Sequence, residues 1–207
     1  MATKSDKAAA KAGKPQRPQR PQRAQQPLPR EVRIIGGSLR GRKIAVSDRP
    51  GLRPTPDRVR ETLFNWLGQD LTGWRVLDAF AGCGALGFEA ASRGATSVLM
   101  IERDIVLSYN LKATQERLQA PSVRVQGADA ISWMSRCPAA SYELVLLDPP
   151  FDAGLSAAAV AVAKPLLVPG GWLYLEAAAP LEELPVGLRE HRRLRAGAVS
   201  VQLLQVD

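Results

Sequence analysis

Val76-Leu-Asp-Ala-Phe-Ala-Gly-Cys-Gly-Ala-Leu-Gly87 joins a short apolar run to an Ala-rich run through a glycine-rich turn. The pattern predicts a strand, Arg75–Ala79, entering a helix, Ala85–Arg93, that Gly94 closes. Ligands bind at such strand ends in open α/β sheets. Gly82, Gly84 and Gly87 let the backbone turn tightly and pass close to a ligand, although a tight turn without a ligand has the same glycines.

Two acids add chemistry to the turn. Asp78 stands in the strand end, where a carboxylate can take a ligand's ammonium group. Glu102 ends the next apolar run, 20 residues beyond Gly82, where an acid meets ribose hydroxyls in nucleoside-binding sheets. The glycine spacing matches a dinucleotide fingerprint, but Asp78 departs from it and favours a nucleoside that carries an amino acid, S-adenosylmethionine. Asp78, Phe80, Gly82, Gly84 and Glu102 are therefore the expected cofactor contacts.

Alternation continues outward from this unit. Val98–Ile101, Val123–Val125, Leu144–Leu147 and Trp172–Leu175 read as strands, the third apolar enough to be buried on both faces. Asp104–Gln119, Ala128–Arg136 and Ser156–Leu167 read as helices, the first with Leu107, Leu111, Thr114 and Leu118 on one face. Leu188–Arg195 and Val199–Val206 read as a closing hairpin. This βαβα order predicts an α/β fold with a mainly parallel sheet. Gly127-Ala-Asp129 follows the third strand, where Asp129 can accept an adenine amino group, cap the next helix, or both.

The sharpest motif is Leu146-Leu-Asp-Pro-Pro-Phe151 at the end of the fourth strand. Pro149 and Pro150 fix an extended backbone and remove two N–H donors. The Asp148 carboxylate and the Pro149 carbonyl are then two acceptors aimed at one point. They suit an exocyclic –NH2 group, whose lone pair is delocalised into its ring and must be redirected toward an electrophilic methyl. Phe151 can stack on the base. Asp148, Pro149, Pro150 and Phe151 are the expected catalytic set.

Before the sheet, Arg53-Pro-Thr-Pro-Asp-Arg-Val-Arg60 opens a helix with Thr55 as its N-cap and Pro56 at its first position. Val59, Leu63, Trp66 and Leu67 share one face; Arg58 and Arg60 fall off it and can point at a ligand or at water. Thr55 and Arg58 are further cofactor candidates. Val32–Val46 reads as short strands around Gly36, Gly37 and Gly41, with Arg40, Arg42 and Lys43 at the turn.

Charge separates the parts. The 207 residues carry 28 Lys/Arg and 20 Asp/Glu, a net +8. Residues 1–30 hold eight basic residues against one acid, and residues 31–60 eight against three. The rest is mildly acidic. Residues 1–30 repeat Pro-Gln-Arg three times and hold almost no large apolar side chain, which predicts a disordered basic tail. It is read either as a nucleic-acid contact or as a solvated extension without a required role. A mitochondrial transit peptide fits less well, since its prolines oppose an amphipathic helix. No apolar run approaches the roughly 20 residues of a membrane span, and the N-terminus lacks a secretory segment. A cytoplasmic monomer is expected. Two cysteines and one histidine form no metal quartet. Cys83 is read as a small turn residue and His191 as a surface residue facing RNA or solvent.

The set Arg33-Ile-Ile-Gly-Gly, Arg40-Gly-Arg-Lys43, Arg53–Leu67, Asp78–Glu89, Ile101-Glu102 and Asp148-Pro-Pro-Phe151 resembles the bacterial 16S rRNA guanine-N2 methyltransferases that modify guanine 966. The resemblance covers about residues 32–207; nothing carries over to the tail. It implies a Rossmann-like, seven-stranded S-adenosylmethionine-dependent methyltransferase fold over residues 31–207, with the last hairpin antiparallel to the rest. It also implies an N-terminal β-hairpin extension over residues 31–50 that meets 16S rRNA of the 30S subunit or an assembly intermediate. Arg33, Arg40, Arg42, Lys43 and Arg53 are its expected RNA contacts. The Asp-Pro-Pro-Phe motif is shared with adenine-N6 and cytosine-N4 DNA methyltransferases; the Arg-Pro-Thr helix separates this family from them. Pro56 stands where a Thr is common in the family. A DNA amino-methyltransferase would need a target-recognition domain, for which this length leaves no room. A cofactor-binding assembly factor, needing only the basic arm, is the other class.

Overall fold

A computed structural model describes residues 31–49, 52, 54–150 and 155–207. The tail at 1–30, Arg53 and Phe151 lie outside the described residues. Two short strands, β1 (Glu31–Arg33) and β2 (Lys43–Ala45), pair antiparallel, with Val32 opposite Ile44. Helix α1 (Asp57–Trp66) follows. The alternating part then runs β3 (Arg75–Asp78), α2 (Ala85–Ser92), β4 (Ser97–Glu102), α3 (Ile105–Leu118), β5 (Val123–Gly127), α4 (Ala130–Met134), β6 (Tyr142–Leu147), α5 (Leu155–Ala163) and β7 (Leu167–Ala177). Strands β8 (Leu188–Ala196) and β9 (Val199–Val206) close the chain.

Seven strands form one sheet in the order β5-β4-β3-β6-β7-β9-β8. Strands β3 to β7 are parallel, and β9 is antiparallel to both its neighbours, β7 and β8. The expectation that the whole hairpin opposes the sheet is corrected here. Only β9 is reversed; β8 folds back and runs with the parallel strands. Strand order reverses direction at β3, so the crevice outside β3 and β6 is the topological switch point where such sheets bind ligands.

The period-2 alternation of strands divides the core between two faces. Leu144 and Leu146 of β6, with Val76, Val98, Met100 and Tyr174, pack against α1, α2 and the β1–β2 arm. Val145 and Leu147, with Leu77, Ile101, Leu173 and Leu175, pack against α4 and α5. All four residues of Leu144–Leu147 are fully buried, as their unbroken apolar run predicts.

Several local expectations change. Strand β7 runs through Pro169-Gly170-Gly171, where a break is expected. Its register against β6 shifts between Tyr142 and Leu144, which lets the extra residues bulge. The predicted helix at Ser156–Leu167 ends at Ala163 and continues as a 3-10 turn, Lys164–Leu166, because Pro165 cannot donate to the helix. Thr55 does not cap α1. Pro56 occupies the N-cap position without a side-chain hydrogen bond, and the Thr55 hydroxyl is used elsewhere.

The arm docks on α2 by backbone contacts that demand glycine. Gly37 has φ +73°, and a Cβ there would lie 1.8 Å from the Ser92 carbonyl oxygen. Ser38 N–H donates to that carbonyl at 2.7 Å, and Leu39 N–H donates to the Ser92 hydroxyl at 2.9 Å.

Candidate active site

Five neighbouring strands each deliver a carboxylate to the same edge, where Asp104 follows Glu102 as a further acid. In sheet order the five are Asp129 after β5, Glu102 at the end of β4, Asp78 at the end of β3, Asp148 after β6 and Glu176 near the end of β7. All five line one cavity of about 580 Å³, a size that holds a nucleoside-sized ligand. A βα unit places its loop at the carboxyl end of its strand, which is why acids far apart in sequence converge.

Asp78 is buried, and its Oδ2 accepts from Gly87 N–H at 2.9 Å. Burial pushes its carboxyl up to about 7; Gly87 opposes the shift, and the neighbouring Glu102 carboxylate adds to it. The close approach needs Gly87, where a Cβ would meet that same oxygen at 2.9 Å. Glu102 spans two turns: Oε2 accepts from Gly82 N–H at 2.9 Å and Oε1 from Asp104 N–H at 2.8 Å. Its link to Gly82 gives the 20-residue spacing a physical meaning, because the acid also shapes the glycine turn. Gly82 and Gly84 both have positive φ, +55° and +83°. Asp129 caps α4 by accepting from Ser132 N–H at 2.9 Å, and the same carboxylate residue lines the cavity.

Asp148, Pro149 and Pro150, after the neighbouring strand β6, line the same cavity. Burial, then the Glu176 and Asp78 carboxylates, hold Asp148 well above the usual carboxylate range; a hydrogen bond from Thr55 works against them. Thr55 is itself buried and donates to Asp148 Oδ2 at 3.4 Å. Glu176 is buried beside them and accepts from the Tyr174 hydroxyl at 2.8 Å.

The remaining candidates distribute as follows. Phe80 and Gly82 line the cavity; Gly84 stands behind them at the start of α2. Arg58 is exposed on α1 and is not among the cavity-lining residues. Arg60, expected to face ligand or water, is instead fully buried and ion-paired with Glu89 at 3.2 Å. Arg33, Arg40, Arg42 and Lys43 are exposed on the arm, away from the cavity. Lys43 pairs with Glu31 at 2.7 Å, and Arg42 donates to the Arg117 carbonyl at 3.4 Å. Cys83 lines the cavity as a buried thiol that burial pushes up to about 11, which opposes a nucleophilic role. His191 is exposed and sets its ring edge-on to Trp172, with centroids 4.9 Å apart.

Sequence reading missed three parts of this lining: Glu176, the basic rim residues Arg49 and Arg103, and the hairpin residues Ala196 and Val199. Glu176 had a signal, since an acid breaks an otherwise apolar strand end. Arg103 had one as well, since it follows Glu102; Arg49, Ala196 and Val199 had none, because nothing local ties the terminal hairpin or the Arg49 loop to the β3 turn.

Residues 32–205 match the protein family described as Conserved hypothetical protein 95. The Ribosomal RNA small subunit methyltransferase D of Escherichia coli (strain K12) is 42% identical over 183 residues, covering 84% of this chain and 90% of that protein. The chain belongs to the family of these proteins. The family member from Haemophilus influenzae with the same name is 42% identical over 148 residues, covering 69% of this chain and 74% of that one. A solved Escherichia coli structure described as a methyltransferase superposes with a TM-score of 0.77 at 39% identity, over 86% of this chain and 98% of that chain. Every acid in the carboxylate row falls inside the family match.

Proposed function

We infer that the chain transfers a methyl group from S-adenosylmethionine to the exocyclic N2 amine of a guanine in 16S rRNA, guanine 966, presented by an assembling 30S subunit in the cytoplasm. One observation carries the reading: the row of carboxylates that five adjacent strands turn toward a single cavity. The first three acids match, in order, the hydrogen donors of the methyl donor: the adenine amine at Asp129, the ribose hydroxyls at Glu102 and the ammonium at Asp78. Bound there, S-adenosylmethionine would supply an electrophilic methyl group. The names of the curated relatives support rRNA as the substrate class.

Asp148 and the Pro149 carbonyl accept the two hydrogens of the guanine amine. Holding both favours a pyramidal nitrogen and aims its lone pair. The proton leaves to Asp148 late in the reaction. Catalysis on this reading is mostly positioning, and neither histidine nor a metal is called upon. The exposed basic side chains of the β1–β2 arm, Arg33, Arg40, Arg42 and Lys43, contact the rRNA backbone.

The test is direct. The protein is incubated with labelled S-adenosylmethionine and, separately, rRNA, 30S particles or DNA, and the products are digested to nucleosides. Label in N2-methylguanosine is expected. Label in N6-methyladenosine, or none with any substrate, rejects the reading.

A further inference from the structure

Thr55 makes two hydrogen bonds, one by its side chain and one by its backbone, that tie the cap segment to the reaction centre. Its hydroxyl donates to Asp148 Oδ2 across 93 residues of sequence, at 3.4 Å. Its carbonyl accepts from Arg60 Nε at 3.2 Å. Arg60 is in turn immobilised: Nη1 donates to Glu89 Oε2 at 3.2 Å, and Nη2 to the Arg33 carbonyl at 2.9 Å and to Asp57 at 2.6 Å. Pro54 and Pro56 flank Thr55 and restrict the backbone further. This buried, firmly held threonine, its hydroxyl free from capping duty, directs that hydroxyl at Asp148.

We propose that Thr55 is a positioning residue of the methyl-transfer step: its hydroxyl fixes one oxygen of Asp148 so that the other is presented to the substrate amine. The proposal rests on the function inferred above. It moves Thr55 from the cofactor-binding set, where sequence reading places it, to the substrate side. A donor on one oxygen also favours the ionised carboxylate, which is the form that can accept from an amine. With Glu176 and Asp78 nearby, Asp148 is in need of such a donor.

The experiment compares wild type, Thr55→Val and Thr55→Ser in single-turnover methylation of 30S particles across a pH series, with donor affinity measured by calorimetry. Thr55→Val keeps the shape and removes the hydroxyl; Thr55→Ser keeps the hydroxyl. Thr55→Val is expected to slow the chemical step about tenfold, the scale of one lost hydrogen bond. The acid limb of its pH profile should move to higher pH, because Asp148 loses a group that favours its charged form. Donor affinity should stay within about twofold, and Thr55→Ser should restore rate and profile. A wild-type rate and profile in Thr55→Val would overturn the proposal. So would a loss confined to donor affinity, which would return Thr55 to the cofactor site. Should Thr55→Val fail to bind donor at all, Thr55→Ala with the same readouts decides. A wild-type protein that methylates no guanine would reject the inferred function instead, a result distinct from all of these.

Discussion

Arg60 and Glu89 form an ion pair of 3.2 Å in which neither side chain has any solvent exposure. Glu89 also accepts from Arg93 at 2.9 Å and from the backbone N–H groups of Ile35 and Gly36 at 2.9 and 2.8 Å. One carboxylate on α2 therefore gathers α1, the β1–β2 arm and the end of its own helix. Asp57 supplies a second negative charge to Arg60, so two guanidinium groups face two carboxylates. Burying charge is costly, and it persists here because almost every donor and acceptor is matched.

Removing one partner should expose that cost. Glu89→Ala leaves Arg60 and Arg93 buried without their shared carboxylate and should destabilise the fold by about 3–5 kcal/mol, the usual range for breaking a buried pair. Denaturant unfolding measures it. A loss below about 1 kcal/mol, the range of surface pairs, would show that the cluster is easily rehydrated.

Asp148→Ala should retain S-adenosylmethionine binding and lose methyl transfer, because on the proposed reading Asp148 holds the substrate amine while Asp78, Glu102 and Asp129 hold the methyl donor. Calorimetry and nucleoside analysis separate the two. Wild-type turnover in this variant would remove Asp148 from the mechanism.

Asp78 predicts two pH dependences of fixed sign. Its carboxyl sits at about 7 in the folded protein against 3.8 ordinarily. Between these values the folded state holds the extra proton, so stability of the ligand-free protein should fall as pH rises from about 4 to about 7. Ammonium binding needs the ionised form, so donor affinity should rise over the upper part of the same window. Asp78→Asn should make both curves shallower, while Asp148, also raised by burial, keeps its own share of the stability slope. Thermal unfolding and calorimetry at several pH values provide the check; unchanged curves in the variant would assign the dependence to another group.

RNA affinity should depend on the basic arm and tail through salt. Each of Arg40→Ala and Arg42→Ala should reduce the slope of log affinity against log salt by about 0.7–0.9, if each meets one phosphate. Removing residues 1–30 should weaken RNA binding at low salt while donor affinity is unchanged. Filter binding across a salt series decides; an unaltered slope would place the RNA contact elsewhere.

Much of the candidate site is legible in sequence because a βα unit is local. The apolar run of β3, the glycine turn and Asp78 specify a strand, a turn and an acid within a dozen residues, and the same grammar repeats for Glu102, Asp129 and Asp148. Four of the five carboxylates could therefore be named without coordinates. Charge counting likewise separated a basic front from an acidic remainder, which is arithmetic and needs no fold.

What periodicity cannot encode is which distant groups meet. Arg60 read as a residue that could face ligand or water, yet the packing of α1 on α2 turns it onto Glu89, 29 residues away. Thr55 read as a helix cap by local rules; tertiary contact gave its hydroxyl to Asp148 instead. Glu176 and the hairpin residues Ala196 and Val199 reached the cavity only because β7 lies beside β6 and the reversed β9 beside β7 in the sheet. Local sequence determined the strands, turns and acids through short-range geometry. The three-dimensional fold alone decided their partners, their burial and so their proton affinities, because those depend on every element packed around them.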